Sequence, residues 1–152
     1  MKRIVLIPII LAFLIWPAKG GNAHDLMIID VAVPASLTPL SKSGIIYFTI
    51  MNHGPVDDDL ISVSTPAAAS ATLHESYQDG DISKMRDLET VDVPPGALVK
   101  LEQGGKHVML TGLPSPLKKG DKLMFKLVFA KAGTMEVEAI VGDAVTGHVH
   151  AE

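Results

Sequence analysis

From Met27 onward the chain alternates or clusters its apolar residues at strand period, and the pattern predicts β-structure throughout. The clearest stretch is 122–130. Leu123, Phe125, Leu127 and Phe129 fall on one face, and Lys122, Met124, Lys126 and Val128 on the other. Further strands are expected at 27–33, 44–52, 60–65, 71–78, 98–101, 106–113 and 134–141. The segment 44–52 (GIIYFTIMN) is rich in the β-branched and aromatic residues that suit a pleated, half-buried surface.

The breaks between these runs carry turn chemistry. They include Asn52-His53-Gly54-Pro55, Pro94-Pro95-Gly96, the pair Gly104-Gly105 and Lys119-Gly120-Asp121. Seven or eight short strands at this spacing predict an all-β fold, an antiparallel β-sandwich or barrel in one domain. The residues 79–88, which include Asp79, Asp81, Lys84, Arg86 and Asp87, are expected to form a polar loop. No internal repeat, low-complexity segment or interdomain linker interrupts 24–141.

The first residues read differently. Lys2 and Arg3 precede an apolar run over 4–16, and a small-residue stretch ends at Gly21-Asn22-Ala23. These are the parts of a secretory signal peptide, expected over 1–23. The run is shorter than the about 20 residues a membrane helix needs. Export to the periplasm with no lasting membrane association is the expectation, with His24 as the new N-terminus and 142–152 as a short His-containing tail.

Charge and cysteine content narrow the function. From residue 24 on there are ten basic and seventeen acidic residues, a net charge of −7, which argues against nucleic-acid binding. The 152 residues contain no cysteine. Thiolate nucleophiles, disulfides, zinc-thiolate sites and the His2Cys copper site are therefore excluded. A soft metal site in this chain has to use methionine and histidine.

Two residues of that kind follow from strand geometry. His107 and Met109 are separated by Val108 within a predicted strand, so their side chains share a face. His74 lies in another predicted strand, and Met85 is a large apolar residue set among the charges Asp81, Lys84, Arg86 and Asp87. The order is His74, ten residues, Met85, twenty-one residues, His107, one residue, Met109.

That spacing resembles the metal motif of the periplasmic copper chaperones called PCuAC. Tyr47 to Asn52, Asp59 to Val63, Leu73-His74-Glu75, Gly104 to Leu110, Gly112-Leu113 and Pro116-Leu117 are similar to the same family, so the resemblance spans about 44–141. It implies a cupredoxin-like sandwich in which His74, Met85, His107 and Met109 hold one Cu(I). It also implies delivery to an acceptor protein, either a cytochrome c oxidase subunit during CuA assembly or a Sco-type chaperone. The chemistry agrees: thioether and imidazole are neutral ligands suited to a soft monovalent ion, and hard oxygen ligands for Ca²⁺ or Mg²⁺ are missing from the set. Histidine competes with protons near its free pKa of about 6.5, so affinity is expected to fall as the pH drops through that range. The family usually carries Trp and Arg near its first strand. Here that region reads Val31-Ala32-Val33-Pro34-Ala35-Ser36, and the only tryptophan is Trp16.

Weaker candidates are a pair of imidazoles at His148 and His150 and the α-amine and imidazole of His24, either of which would take Cu(II) at a secondary site. Met51-Asn52-His53 mimics the strand pair but runs into a Gly-Pro turn and reads as structural. Asp57-Asp58-Asp59 reads as a solvated turn or a partner-facing acidic patch in preference to a Ca²⁺ site. A binding protein is expected and not an enzyme, since no nucleophile triad, phosphate loop or paired-carboxylate signature is present. The alternatives are a periplasmic copper buffer or resistance protein and a copper-dependent redox enzyme.

Overall fold

The computed structural model describes residues 25–142. Residues 1–23, expected to be a signal peptide, and His24, His148 and His150 lie outside the described residues. Ten strands follow one another: β1 (Leu26–Pro34), β2 (Ser43–Asn52), β3 (Asp58–Ser64), β4 (Ser70–Asp79), β5 (Ile82–Asp87), β6 (Val91–Val93), β7 (Leu98–Leu101), β8 (Lys106–Thr111), β9 (Lys122–Phe129) and β10 (Gly133–Gly142). The predicted strands are all present. Two more are added: β5 lies in the stretch expected to be a polar loop, and β6 in one that carries no predicted element.

Hydrogen bonding runs in the order β5-β4-β8-β2-β1-β10-β9-β3-β6, with β7 pairing β2 beyond the end of β8. Every pair is antiparallel except the short parallel contact of β1 with β10, where Val33 lies beside Val141. That contact joins two layers. Leu73, Val108, Leu110, Ile46, Phe48 and Ile50 line one side of a single core. Leu60, Phe125, Leu127, Phe129, Val137 and Ala139 line the other. Phe48 and Phe125 meet across the layers with ring centroids 6.0 Å apart. The expected β-sandwich is what forms, because the strands other than β5 have an apolar face to bury.

Two devices set how the strands serve the site. In β1 the register slips between Ile29 and Ala32, where Asp30 takes a positive φ of 52°. One extra residue switches the buried set from Ile28 to Val31 and Val33, so β1 can pair β2 at its start and β10 at its end. At the far end of β8, Gly112 has φ 70°, and a Cβ there would sit 2.5 Å from that of Ala69. The strand therefore stops at Thr111 and not at 113 as its apolar pattern implied.

The acidic run is not a solvated turn. Asp58 is fully buried, and its carboxylate accepts backbone N–H bonds from Asp59, Lys131 and Ala132 at 2.7–2.8 Å. Asp57 pairs with Lys131 Nζ at 2.8 Å, and that lysine holds its carboxyl below the usual range. The run ties β3 to the β9–β10 turn.

Candidate metal centre

The outer face of the β5-β4-β8-β2 layer carries the predicted ligands. In the β4–β8 ladder His74 lies directly opposite His107, and Thr72 opposite Met109. In the β4–β5 ladder His74 lies opposite Asp87, and Ser76 opposite Met85. Leu73 and Val108 point the other way, into the core. Strand alternation therefore puts His74, Met85, His107 and Met109 on one face. Directly opposed residues have Cβ atoms about 5 Å apart and diagonal ones roughly 7–8 Å, so His107 faces His74 and the two methionines flank the pair diagonally.

The two rings are held in defined orientations. Their centroids are 5.9 Å apart and the ring planes are inclined by 39°. His107 Nδ1 is 3.0 Å from the Gly105 carbonyl oxygen. A carbonyl can only accept, so Nδ1 carries the proton of the neutral ring and Nε2 keeps its lone pair. The same carbonyl accepts the Ser76 backbone N–H at 3.0 Å. It is aimed by the β7–β8 turn, which closes through Gly105 N–H to Glu102 O and needs Gly104 at φ 82°. His74 Nε2 lies 2.8 Å from Thr72 Oγ1 and 3.5 Å from an Asp87 carboxylate oxygen. Oxygen acceptors on that side favour the proton on Nε2 and leave the Nδ1 lone pair free.

His74 Nδ1 and His107 Nε2 are the two buried side-chain polar atoms that lack a hydrogen-bond partner among the described residues. An unsatisfied buried nitrogen costs about 1–3 kcal/mol. Finding two, on facing rings, each with its other nitrogen anchored by oxygen, is the arrangement that metal-ligating imidazoles adopt. No group of three His, Cys, Asp or Glu residues among those described could hold a metal. The soft donors on the same face are the thioethers of Met85 and Met109, and two imidazoles with two thioethers make a set that suits soft monovalent copper better than zinc or calcium.

Exposure differs across the set. His107 is buried beneath Tyr47, whose ring packs edge-on at 6.4 Å and whose hydroxyl pKa is pushed up by burial. Met109 and His74 are half-buried, and Met85 is 48% exposed. Met85 does not lie in a loop. It sits on β5, an edge strand whose six residues are all exposed. With neither face buried in the core, β5 has no apolar alternation to announce it.

One residue along the ladder, on the opposite face, Glu75 accepts from Arg86 Nε at 2.9 Å and pairs with Lys106 Nζ at 3.2 Å. Arg86 and then Lys106 hold the Glu75 carboxyl below the usual range. Arg86 also lies over the Tyr77 ring at 5.3 Å. This clamp spans the same three strands as the Asp87-His74-His107 rung and fixes their register. Thr72, Asp87 and the Gly105 carbonyl were not singled out from sequence. Thr72 could have been, since it precedes His74 by two on a strand; Asp87 could not, because β5 was unread.

A β-sandwich bearing two facing imidazoles and two thioethers on one outer sheet face has the build of a cupredoxin-like binding domain. The chain belongs to the LpqE-like family: residues 26–141 match the family described as "Putative lipoprotein LpqE-like". In the protein called "Putative lipoprotein Lxx21020" from Leifsonia xyli subsp. xyli, 30% of 95 residues are identical; the match takes in 62% of this chain and 57% of that protein's length. The fold is similar to the apo PCuAC domain from PmoF1, with TM-score 0.66 and 26% identity over 81% of this chain and 95% of that one. It is also similar to the solution structure of CuI-DR1885 from Deinococcus radiodurans, with TM-score 0.64 and 28% identity over 82% and 83%. No helix among the described residues is long and apolar enough to cross a membrane.

Proposed function

We propose that this protein is a copper carrier that holds one Cu(I) between His74, Met85, His107 and Met109 and hands it to an acceptor protein. The observation that carries the reading is the pair of buried, unpartnered ring nitrogens facing each other across the β4–β8 ladder. Two further facts support it. The similar protein from Deinococcus radiodurans was solved in its CuI form, and PCuAC domains share the fold. The chain's only sulfur donors are thioethers.

Transfer follows from unequal anchoring. His107 is locked by Gly105 and covered by Tyr47, whereas Met85 stands on an exposed edge with a flexible side chain. An incoming acceptor ligand can displace the Met85 sulfur first, while the histidines keep the ion from escaping. This exposure favours a carrier over a buffer, which would bury all four donors. By resemblance to the copper chaperones, the acceptor is the CuA centre of cytochrome c oxidase or a Sco-type protein in the periplasm, reached after residues 1–23 are removed, with 24–141 as the copper-binding domain. None of the 152 residues is a cysteine, the residue that carries the lipid of a lipoprotein.

The test is Cu(I) titration in competition with a chromogenic Cu(I) chelator. Loss of a supporting partner costs about 10–100-fold in affinity, so replacing two ligands in His74→Ala plus Met109→Ala has to cost more than that at the tighter ion. A double variant that retains the tighter ion at parental affinity would sink the assignment. Transfer is tested by mixing copper-loaded protein with a purified apo CuA domain and following its colour.

A further inference from the structure

We infer that Met27, Met51 and His53 form a second site for a soft monovalent cation, Cu(I), on the same outer face as the first. The site rests on none of the four residues proposed above. Met51-Asn52-His53 repeats the His-x-Met spacing in reverse order, and the structure separates its parts. Asn52 is the structural member: it is buried, its side-chain amide donates to Val56 O and Val93 O, and its Oδ1 accepts from Gly54 N–H. With Asn52 turned inward, Met51 and His53 fall on the outer side, half-buried and exposed respectively.

The neighbouring strand supplies the third donor. In the β1–β2 ladder Met27 lies directly opposite Met51. The ladder continues one step beyond the strands, where His53 N–H donates to Asp25 O at 2.8 Å. His53 is therefore about 6.6 Å along the chain from Met51 and faces the backbone of Asp25. Directly opposed side chains start about 5 Å apart, within easy reach of two thioethers closing on one ion. On the far side of Met51, Leu98 of β7 completes the row, so an apolar neighbour shields the sulfurs on one side. Met27 is 46% and Leu98 is 55% exposed, which leaves the row open to an approaching ion or protein.

Two thioethers and an imidazole are again a neutral, soft donor set with no thiolate for zinc. The pattern repeats the chemistry of the first site with one donor fewer and without buried rings, so the second site is the weaker. The two sites share strand β2: Ile45 lies opposite Met109 of the first, and Met51 belongs to the second. Tyr47, which packs on His107, is four residues from Met51, and Ile45 is six, so at about 3.3 Å per residue the two sites are roughly 13–20 Å apart along that strand, on one open face. A weak, exposed site beside a tighter one suits first capture of the ion.

The experiment is Cu(I) titration against the same chelator with four full-length chains: the parent, His74→Ala plus Met109→Ala, Met27→Leu plus Met51→Leu, and the combination of all four changes. Leucine keeps the shape and apolarity of methionine without its sulfur. The parent is expected to take two Cu(I), each pair variant one, and the combination none. Ag(I) added to the His74→Ala plus Met109→Ala chain, labelled at the methionine methyls, should shift the Met27 and Met51 signals. The inference is overturned if that chain binds no ion, or if Met27→Leu plus Met51→Leu binds as many as the parent. Failure of the first site looks different: His74→Ala plus Met109→Ala would then match the parent while the leucine pair still loses one ion. Thermal unfolding should be unchanged in the leucine variant, whose positions lie outside the core.

Discussion

Strands β5 and β8 each have six residues and each brings candidate copper donors to the same sheet face. They differ in almost everything else. β8 lies between β4 and β2 and sinks Val108 and Leu110 fully into the core. β5 pairs only β4, and both of its sides face solvent. The contrast separates two jobs that one site requires. Fixing a ring nitrogen to within a fraction of an ångström takes a strand that cannot move, whereas releasing an ion takes a donor that can. Edge strands with exposed backbone groups are also a pairing hazard, and Lys84 and Arg86 on β5 are the kind of charges that blunt one.

Mutations that strike the two strands unequally sharpen this contrast. The largest difference is in stability. Leu110→Ala empties a fully buried position and should cost about 2–5 kcal/mol in denaturant unfolding. Ile82→Ala, at a position 62% exposed, should stay within about 0.5 kcal/mol. Equal losses would mean that β5 is packed in solution. Next, His107→Ala and Met85→Ala should diverge in copper handling. The first should lower equilibrium Cu(I) affinity beyond the about 100-fold upper range of a supporting residue. The second should act mainly by speeding dissociation to a chelator in stopped-flow. A Met85→Ala chain that releases copper at the parental rate breaks the division of labour.

Smaller effects probe the supports. Thr72→Val removes the hydroxyl from His74 Nε2 and should weaken Cu(I) binding about tenfold without altering unfolding by more than about 1 kcal/mol. The smallest expected effect is that of Glu75→Gln. Its folded carboxyl pKa is lowered by Arg86 and Lys106, so the ionised clamp stabilises the fold above the ordinary Glu value of about 4.3 and loses that contribution as pH falls through the lower folded value. The parent should exceed the variant by at most about 1 kcal/mol at neutral pH, and the gap should close in acid. A gap that widens below pH 4 would reverse the sign assigned here.

The same two strands explain what could be read from the sequence. β8 announced itself because burial on one side imposes alternation, and its same-face pair His107 and Met109 followed from that alone. β9 did so even more plainly, with four buried apolar residues at every second position. β5 had no core to imprint a pattern on it, so its six residues looked like loop and took Met85 and Asp87 with them. β6 is three residues, too short for any period. The pairing of His74 with His107 is a register between strands separated in sequence by three others, and no local pattern encodes it; only the spacing resemblance suggested it. Asp58 was misread for a related reason. An acidic run looks solvated until the tertiary structure brings the backbone donors of Lys131 and Ala132 to its middle member, beside that of Asp59.

The Gly105 carbonyl accepts both the Ser76 amide and the His107 ring. One oxygen thus ties the closing of the β4–β8 ladder to the orientation of an imidazole. Fraying that pair would let the ring rotate, and pinning the ring with an ion would in turn hold the pair shut. The Ser76 amide is therefore a native gauge of occupancy: its exchange with deuterated solvent should slow when copper binds, and the slowing should vanish in His107→Ala. In the proposed carrier this wiring would report the load through the backbone of β4, one strand in from the sheet edge.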